Sequence, residues 1–250
     1  MMIDTHCHLA DDDFGPDREA VIERARAGGV RHALVMGENL EDNRRVLGLD
    51  PAAGFVLPCA GHYPSELDPG MADETEALIR ENRDRLVAIG EVGIDHRITE
   101  DPADWEIQHA LFLKFAALGA ELDLPLSVHS RSAGRHAIAL LLDSPARKVV
   151  MHAFDGKYGS AIPAVEAGFF FSVPPSIVRS RQKQKLVKNL PLSCLLLESD
   201  APVLGPEPDE RNEPANIRRS ADAIAELHGV SVDEVAETTT HNAVRLFGLA

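Results

Sequence analysis

Short apolar runs recur along the chain, each followed by a longer stretch in which apolar residues are spaced by three or four. The strand-length runs are Met2–Thr5, Ala33–Met36, Phe55–Cys59, Leu86–Gly90, Leu126–His129, Val149–His152, Phe169–Val173 and Leu195–Ser199. Helical spacing is clearest at Leu111, Phe115, Leu118 and Leu122, and returns at Ile217, Ala221 and Ile224. Strand and helix alternating in this way predict a parallel sheet joined by crossover helices. Eight strands in 250 residues favour an α/β fold of the TIM-like (β/α)8 barrel type. Periodicity alone leaves an open doubly wound sheet as the alternative. No glycine-rich phosphate fingerprint follows the first strand, which weakens a dinucleotide-binding reading. No low-complexity tract or Pro/Ser linker divides the chain, so residues 1–250 read as one domain.

The composition is that of an ordinary globular protein, 44% hydrophobic and 26% charged. No stretch approaches the roughly 18 apolar residues of a membrane span, so no membrane partner is expected. Met1 to His6 lacks a basic segment followed by an apolar one, which argues against a secretory signal. The three cysteines, Cys7, Cys59 and Cys194, form no C-x-x-C pair, and a reducing cytoplasm is the expected compartment. The formal net charge of −15 does change the picture. A protein that tracks along duplex DNA usually carries a basic face. A phosphate substrate here must therefore be held by bound metal and a few local cations, which points to a small substrate or a strand end.

Six candidate metal ligands fall at the C-terminal ends of predicted strands, the rim on which barrels of this kind build active sites. His6 and His8 leave the first strand two residues apart. Side chains alternate across a strand, so both imidazoles share a face while Cys7 points the other way. Glu91 follows the fourth apolar run in Gly90-Glu91-Val92-Gly93, where the glycines permit close approach of other groups. His129 and His152 each end an apolar run, and Asp200 follows the last, two residues beyond Glu198. Two inward-facing acids repel one another and require positive charge nearby. A metal beside Asp200 supplies it, with Glu198 as a supporting or additional ligand. Any one of these residues alone is more often structural; together they converge on one rim.

Four histidines and two carboxylates exceed the needs of one tetrahedral zinc. They suit two divalent ions bridged by a carboxylate, about 3.5–4 Å apart, which clamp a scissile group and acidify a water. Asp200 is placed to take a proton from that water, and the chemistry is hydrolysis, with Asp200 and Glu91 as catalytic residues. Four imidazoles admit Zn²⁺, Mn²⁺ or Fe²⁺, while the carboxylates also admit Mg²⁺.

The segments Ile3–His8, Gly90–Asp95, Val128–Arg131, His152–Gly156, Glu198–Pro202 and Asn212–Pro214 together resemble the TatD family of metal-dependent hydrolases, and the resemblance runs end to end. The stretches His129–Arg135, Pro174–Ser180 and Gln182–Leu192 are similar to the animal TatD-domain-containing branch. The resemblance implies a barrel of the metallo-dependent hydrolase type holding two or three divalent metals. It implies that His6, His8, Glu91 and Asp200 hold one ion, and Glu91, His129 and His152 another. It also implies deoxyribonuclease activity on DNA 3′ ends, so single-stranded DNA or strand ends are the expected nucleic-acid partner. One departure stands out. The family often carries Gly-x-His-Pro after the third strand, whereas this chain has Gly61-His62-Tyr63-Pro64. Tyr63 occupies the usual histidine place, and either Tyr63 or His62 is the expected neighbour of substrate.

Weaker candidates each have a bland alternative. Arg131 is suited to a phosphate, or to pairing with Glu198 or Asp155. Asn212 and Glu213 suit the pocket mouth or a loop cap. Arg179, Arg181, Lys183, Lys185 and Lys188 read first as a solvated helix face and second as a guide for a strand. The remaining histidines are expected away from the rim, with His96 left unassigned. Two further functional readings stay open: a deacylase or esterase on the same scaffold, acting on D-aminoacyl-tRNA or on a small ester or phosphoester, and a non-enzymatic metal-binding scaffold. Nothing in the sequence distinguishes a monomer from a higher oligomer.

Overall fold

A computed structural model describes residues 1–49 and 54–249. Its strands are β1 (Met2–Cys7), β2 (Val30–Val35), β3 (Val56–His62), β4 (Ala88–Gly93), β5 (Leu126–His129), β6 (Val149–Met151), β7 (Phe170–Val173) and β8 (Leu195–Leu197). The helices are α1 (Arg18–Ala27), α2 (Leu40–Gly48), α3 (Pro69–Glu81), α4 (Pro102–Leu122), α5 (Gly134–Asp143), α6 (Tyr158–Glu166), α7 (Arg181–Asn189), α8 (Ile217–His228) and α9 (Val232–Phe247). Strands pair in parallel in sequence order from β1 to β8. The ends of the sheet meet: Asp200 N donates to His6 O at 2.9 Å, and Thr5 Oγ1 donates to Leu197 O at 2.9 Å. Eight parallel strands alternating with helices thus form a nearly closed (β/α) barrel, and the open sheet is excluded.

Two apolar layers hold this shape. Outward-facing residues such as Val35, Val92, Val128 and Leu197 pack with Phe112, Phe115 and Ile224 from the surrounding helices. Inward-facing Ile3, Leu34, Cys59, Ala88, Val150 and Leu196 form a second cluster, joined by Ala243, Leu246 and Phe247 of α9. Packing density inside a small barrel leaves no pore, so chemistry is confined to the rim above this layer. Cys7 belongs to the outer layer, facing away from its histidine neighbours.

Two strand boundaries differ from the periodicity reading in ways that matter to the site. β2 begins at Val30, because Val30 and the polar His32 already pair with β1. β4 runs through Glu91 to Gly93 instead of ending at Gly90. The β4–β5 register is irregular between Ile89 and Val92, and a bulge of this kind re-aims a side chain. Glu91 is therefore a residue of the sheet itself, not of a loop after it. Two glycines make room for it. An added Cβ at Gly61 would collide with the backbone of Glu91, and one at Gly93, whose φ is +153°, would collide with the carbonyl of His129.

Candidate metal centre

Glu91 lies at the centre of the rim, almost wholly buried, and its two oxygens face two different sets of donors. Oε2 lies 3.4 Å from His6 Nε2 and 3.4 Å from His8 Nε2. Those two nitrogens are 3.3 Å apart, and Asp200 Oδ1 lies 3.8 Å from the first and 3.6 Å from the second. Oε1 lies 2.7 Å from His129 Nδ1 and 3.8 Å from His152 Nε2. Asp200 Oδ1 also reaches within 3.7 Å of His152 Nε2. The rings of His6 and His152 stack with centroids 3.6 Å apart. Five strands thus bring all six sequence-predicted ligands to one point.

The outer nitrogen of most of these rings is already engaged. His6 Nδ1 meets Ser127 Oγ at 2.9 Å, His152 Nδ1 meets Glu198 Oε2 at 2.8 Å, and His129 Nε2 meets Asp95 Oδ2 at 2.8 Å. A ring that donates one N–H outward to a carboxylate presents a lone pair at its other nitrogen, the state in which imidazole binds metal. His152 and, once its extra proton is lost, His129 are held this way by carboxylates and His6 by the Ser127 hydroxyl; with His8 and two carboxylates they form a mixed nitrogen and oxygen donor set, which fits divalent ions. The packed groups are His6, His8 and Asp200; His6, Glu91 and His152; and His8, Glu38 and Glu91. Glu91 belongs to two of the three, and His129 reaches the cluster through Glu91 Oε1.

Electrostatics follow from this crowding. Burial opposes the charge on Glu91, but His6, His129 and His8 outweigh it and hold the carboxyl well below its usual range. Asp200 is likewise lowered, burial being overcome by His152, His8 and His6. Burial drives His6 down. For His129 burial is outweighed by Asp95 and Glu91, which lift it to about 9. The loop carrying Asp200 is held in the left-handed region, φ 55°, which aspartate tolerates better than most residues.

The centre opens into a cavity of about 580 Å³ whose wall includes Met36, Tyr63, Val203 and Leu204. Tyr63 lines it, with its hydroxyl 3.4 Å from His129 Nε2. The weaker predictions fare differently. His62 is turned away: it stacks on Phe115 and its Nε2 meets Glu66 O at 2.9 Å. Adjacent residues on β3 and its exit cannot both face the rim, and Tyr63 is the one that does. Asn212 is buried and donates to Ser199 O and Val203 O, so it pins the loop after β8 instead of lining the mouth. Glu213 is bound by Arg24 outside the pocket. Arg131 does reach the pocket, but it pairs with Asp95 at 2.9 Å, not with Glu198 or Asp155. Glu198 faces no open space; it accepts from Ala153 N, His152 Nδ1 and Ser172 Oγ.

Two residues escape the sequence reading, and a third, Lys183, is singled out there only as one of five basic residues on a solvated helix face. Asp95 closes the very segment that contains Glu91, and binds both His129 and Arg131. Glu38, after β2, lies 3.9 Å from His8 Nδ1. Lys183 lines the cavity although it belongs to a run of basic residues. It precedes Leu186, Val187 and Leu190 by three, four and seven positions, a spacing that marks the apolar face of α7.

Comparison with known proteins identifies the family and the fold. The family described as TatD related DNase matches residues 3–248. The human deoxyribonuclease TATDN3 is 44% identical over 98% of this chain and 94% of its own length. A Bacillus subtilis protein described as an uncharacterized metal-dependent hydrolase, YabD, is 34% identical over 99% of both. Among solved structures, the TatD homologue YJJV from Escherichia coli superposes with a TM-score of 0.91 at 28% identity, covering 100% of this chain and 98% of that one.

Proposed function

The chain belongs to the TatD-related DNase family and is a TatD-type metal-dependent hydrolase, and we propose that it is a deoxyribonuclease that shortens DNA from the 3′ end. The observation that carries this reading is the placement of Glu91, one oxygen toward His6 and His8 and the other toward His129 and His152. We assign His6, His8, Glu91 and Asp200 to one divalent ion and Glu91, His129 and His152 to a second, with Mg²⁺, Mn²⁺ and Zn²⁺ as candidates.

When bound, such ions supply the positive charge that acidifies a water and draws the scissile group into place. The chain's residues do the rest. Asp200 meets the histidines through Oδ1, which leaves Oδ2 to accept the proton of the attacking water. The lowered pKa of Asp200 keeps it ionised for that task near neutral pH. Asp95 orients His129, and Glu198 orients His152. The rim is electrostatically lopsided. Asp11, Glu38 and Asp42 line the side built by β1 and β2, while Arg131 and Lys183, together with one acid, Asp155, line the side following β5 to β7. A phosphodiester backbone is attracted on one side and repelled on the other, which favours a strand end over a strand passing through. The free, buried cysteines suit a reducing compartment such as the cytoplasm.

A second reading is favoured by the apolar wall of Met36, Val203 and Leu204 with the Tyr63 hydroxyl among them. Such a pocket also fits a small carboxylic ester, including an aminoacyl ester, cleaved by the same centre. Metal-stripped protein is given single-stranded DNA labelled at either end, with Mg²⁺, Mn²⁺ or Zn²⁺ restored in turn. Metal-dependent stepwise loss from the 3′ end, reduced by about 10²–10⁴-fold in Asp200→Asn, is the expected result. Intact DNA together with turnover of aminoacyl or other small esters would transfer the assignment to the second reading.

A further inference from the structure

Lys183 is a cation in an acidic pocket whose charge the metal centre leaves unexplained. Its ammonium donates to Ala153 O at 3.0 Å, and no carboxylate lies within ion-pair distance of it among the described residues. Arg131, the other cation on this wall, is tied to Asp95. A lysine ammonium has three donors, so two remain for a ligand. The neighbouring basic residues of α7 behave otherwise: Arg181, Lys185 and Lys188 are exposed, whereas Lys183 is half-buried at the cavity wall. Burying a lysine without a carboxylate partner is costly, and burial indeed draws Lys183 below its ordinary pKa, with the carboxylates of Glu198, Asp155 and Asp200 countering.

The position of its one protein partner is informative. Ala153 directly follows His152 and donates its own N–H to Glu198 Oε1, so Lys183 is moored to the loop that carries one of the candidate ligands. Asp155 O, on the same loop, also accepts from Gln182 of α7. Two successive side chains at the start of α7 thus fasten the helix to this loop and hold the ammonium at a set place beside the centre.

We propose that Lys183 is a substrate-binding residue that selects for phosphate, gripping a non-bridging oxygen of the substrate phosphate on the His152 side of the cavity. This rests on the nuclease reading above for the identity of the phosphate, and is tested by binding, which does not depend on turnover. A lone charge-assisted hydrogen bond of this kind accounts for about a 10- to 100-fold preference.

Manganese-loaded wild type, Lys183→Met and Lys183→Arg are titrated with deoxyadenosine monophosphate and with deoxyadenosine by calorimetry, and their melting curves and metal content are compared. Expected is a 10- to 100-fold loss of monophosphate affinity in Lys183→Met, little change for the nucleoside, and substantial retention in Lys183→Arg. On short single-stranded DNA, the slope of log affinity against log salt should shrink by about 0.7 in Lys183→Met, the share of one phosphate contact. Equal monophosphate affinity in wild type and Lys183→Met, or equal losses for nucleotide and nucleoside, overturns the proposal. End-labelled DNA left intact by a wild type that binds the monophosphate through Lys183 would overturn the nuclease reading and leave the phosphate site standing.

Discussion

Replacing Glu198 by glutamine keeps the shape of a buried side chain that accepts three hydrogen bonds but removes its charge and one acceptor. The carboxylate takes Ala153 N on Oε1 at 2.9 Å, and His152 Nδ1 at 2.8 Å together with Ser172 Oγ on Oε2. Glutamine satisfies only one side. With its oxygen toward His152, its amide faces the N–H of Ala153 and leaves that donor unpaired, a cost of about 1–3 kcal/mol. With its amide toward His152, the ring must accept at Nδ1 and carry its proton on Nε2, the nitrogen that faces Glu91 and Asp200, where it no longer offers a lone pair. Either way the site served by His152 weakens, by about 10- to 100-fold in metal affinity, the usual effect of losing such a supporting carboxylate. Calorimetric titration of metal-stripped protein with Mn²⁺ reads this directly. Expected is a fall concentrated at the site served by His152, with a smaller one at His6, His8 and Asp200, because His6 stacks on His152 and Asp200 lies 3.7 Å from it. Unchanged affinity at both sites would refute the reasoning, as would an equal fall at both.

Other consequences follow from the same geometry. With His129 lifted to about 9 by Asp95 and Glu91, the metal-free protein carries a proton there at neutral pH, and binding must expel it. Affinity should rise with pH up to about 9 and then level, and calorimetry in buffers of different ionisation enthalpy should show proton release at pH 7.5; no release would contradict the assignment of His129. Metal should also raise the melting temperature, by an amount that grows with the ratio of free ion to Kd, and Asp200→Asn should blunt this shift. Gly93→Ala places a Cβ against the His129 carbonyl at a φ of +153° and should cost roughly 3 kcal/mol or more, seen as a lower denaturation midpoint. His62→Leu, which loses one bond to Glu66 O but keeps the packing on Phe115, should cost about 1 kcal/mol and leave metal stoichiometry intact.

The convergence of the six candidate ligands was legible because their position is set by one-dimensional facts. Each follows or ends an apolar run, and the C-terminal ends of parallel strands must share one rim. His6, His8, His129, His152 and Asp200 needed only that logic, and Glu91 needed only one correction, that it sits inside β4 at a bulge. The substrate side was not legible in the same way. Whether His62 or Tyr63 faces inward depends on the exit angle of β3, and Asn212 is consumed by backbone carbonyls of its own loop, a long-range pairing that no local pattern announces. Arg131 met Asp95 because β4 and β5 are neighbours, a relation that sequence order allowed but did not single out. Lys183 did leave a trace, its three- and four-residue spacing to Leu186 and Val187, which the surrounding charges masked.

The account stands most directly on Glu91 bridging two ions. Crystals of the manganese-saturated protein, with anomalous scattering measured at the manganese edge, decide it. The predicted result is two peaks about 3.5–4 Å apart on either side of Glu91, one among His6, His8 and Asp200 and the other between His129 and His152. A single peak, or two peaks with Glu91 bound to only one, would contradict the bridged centre from which the proposed chemistry is derived.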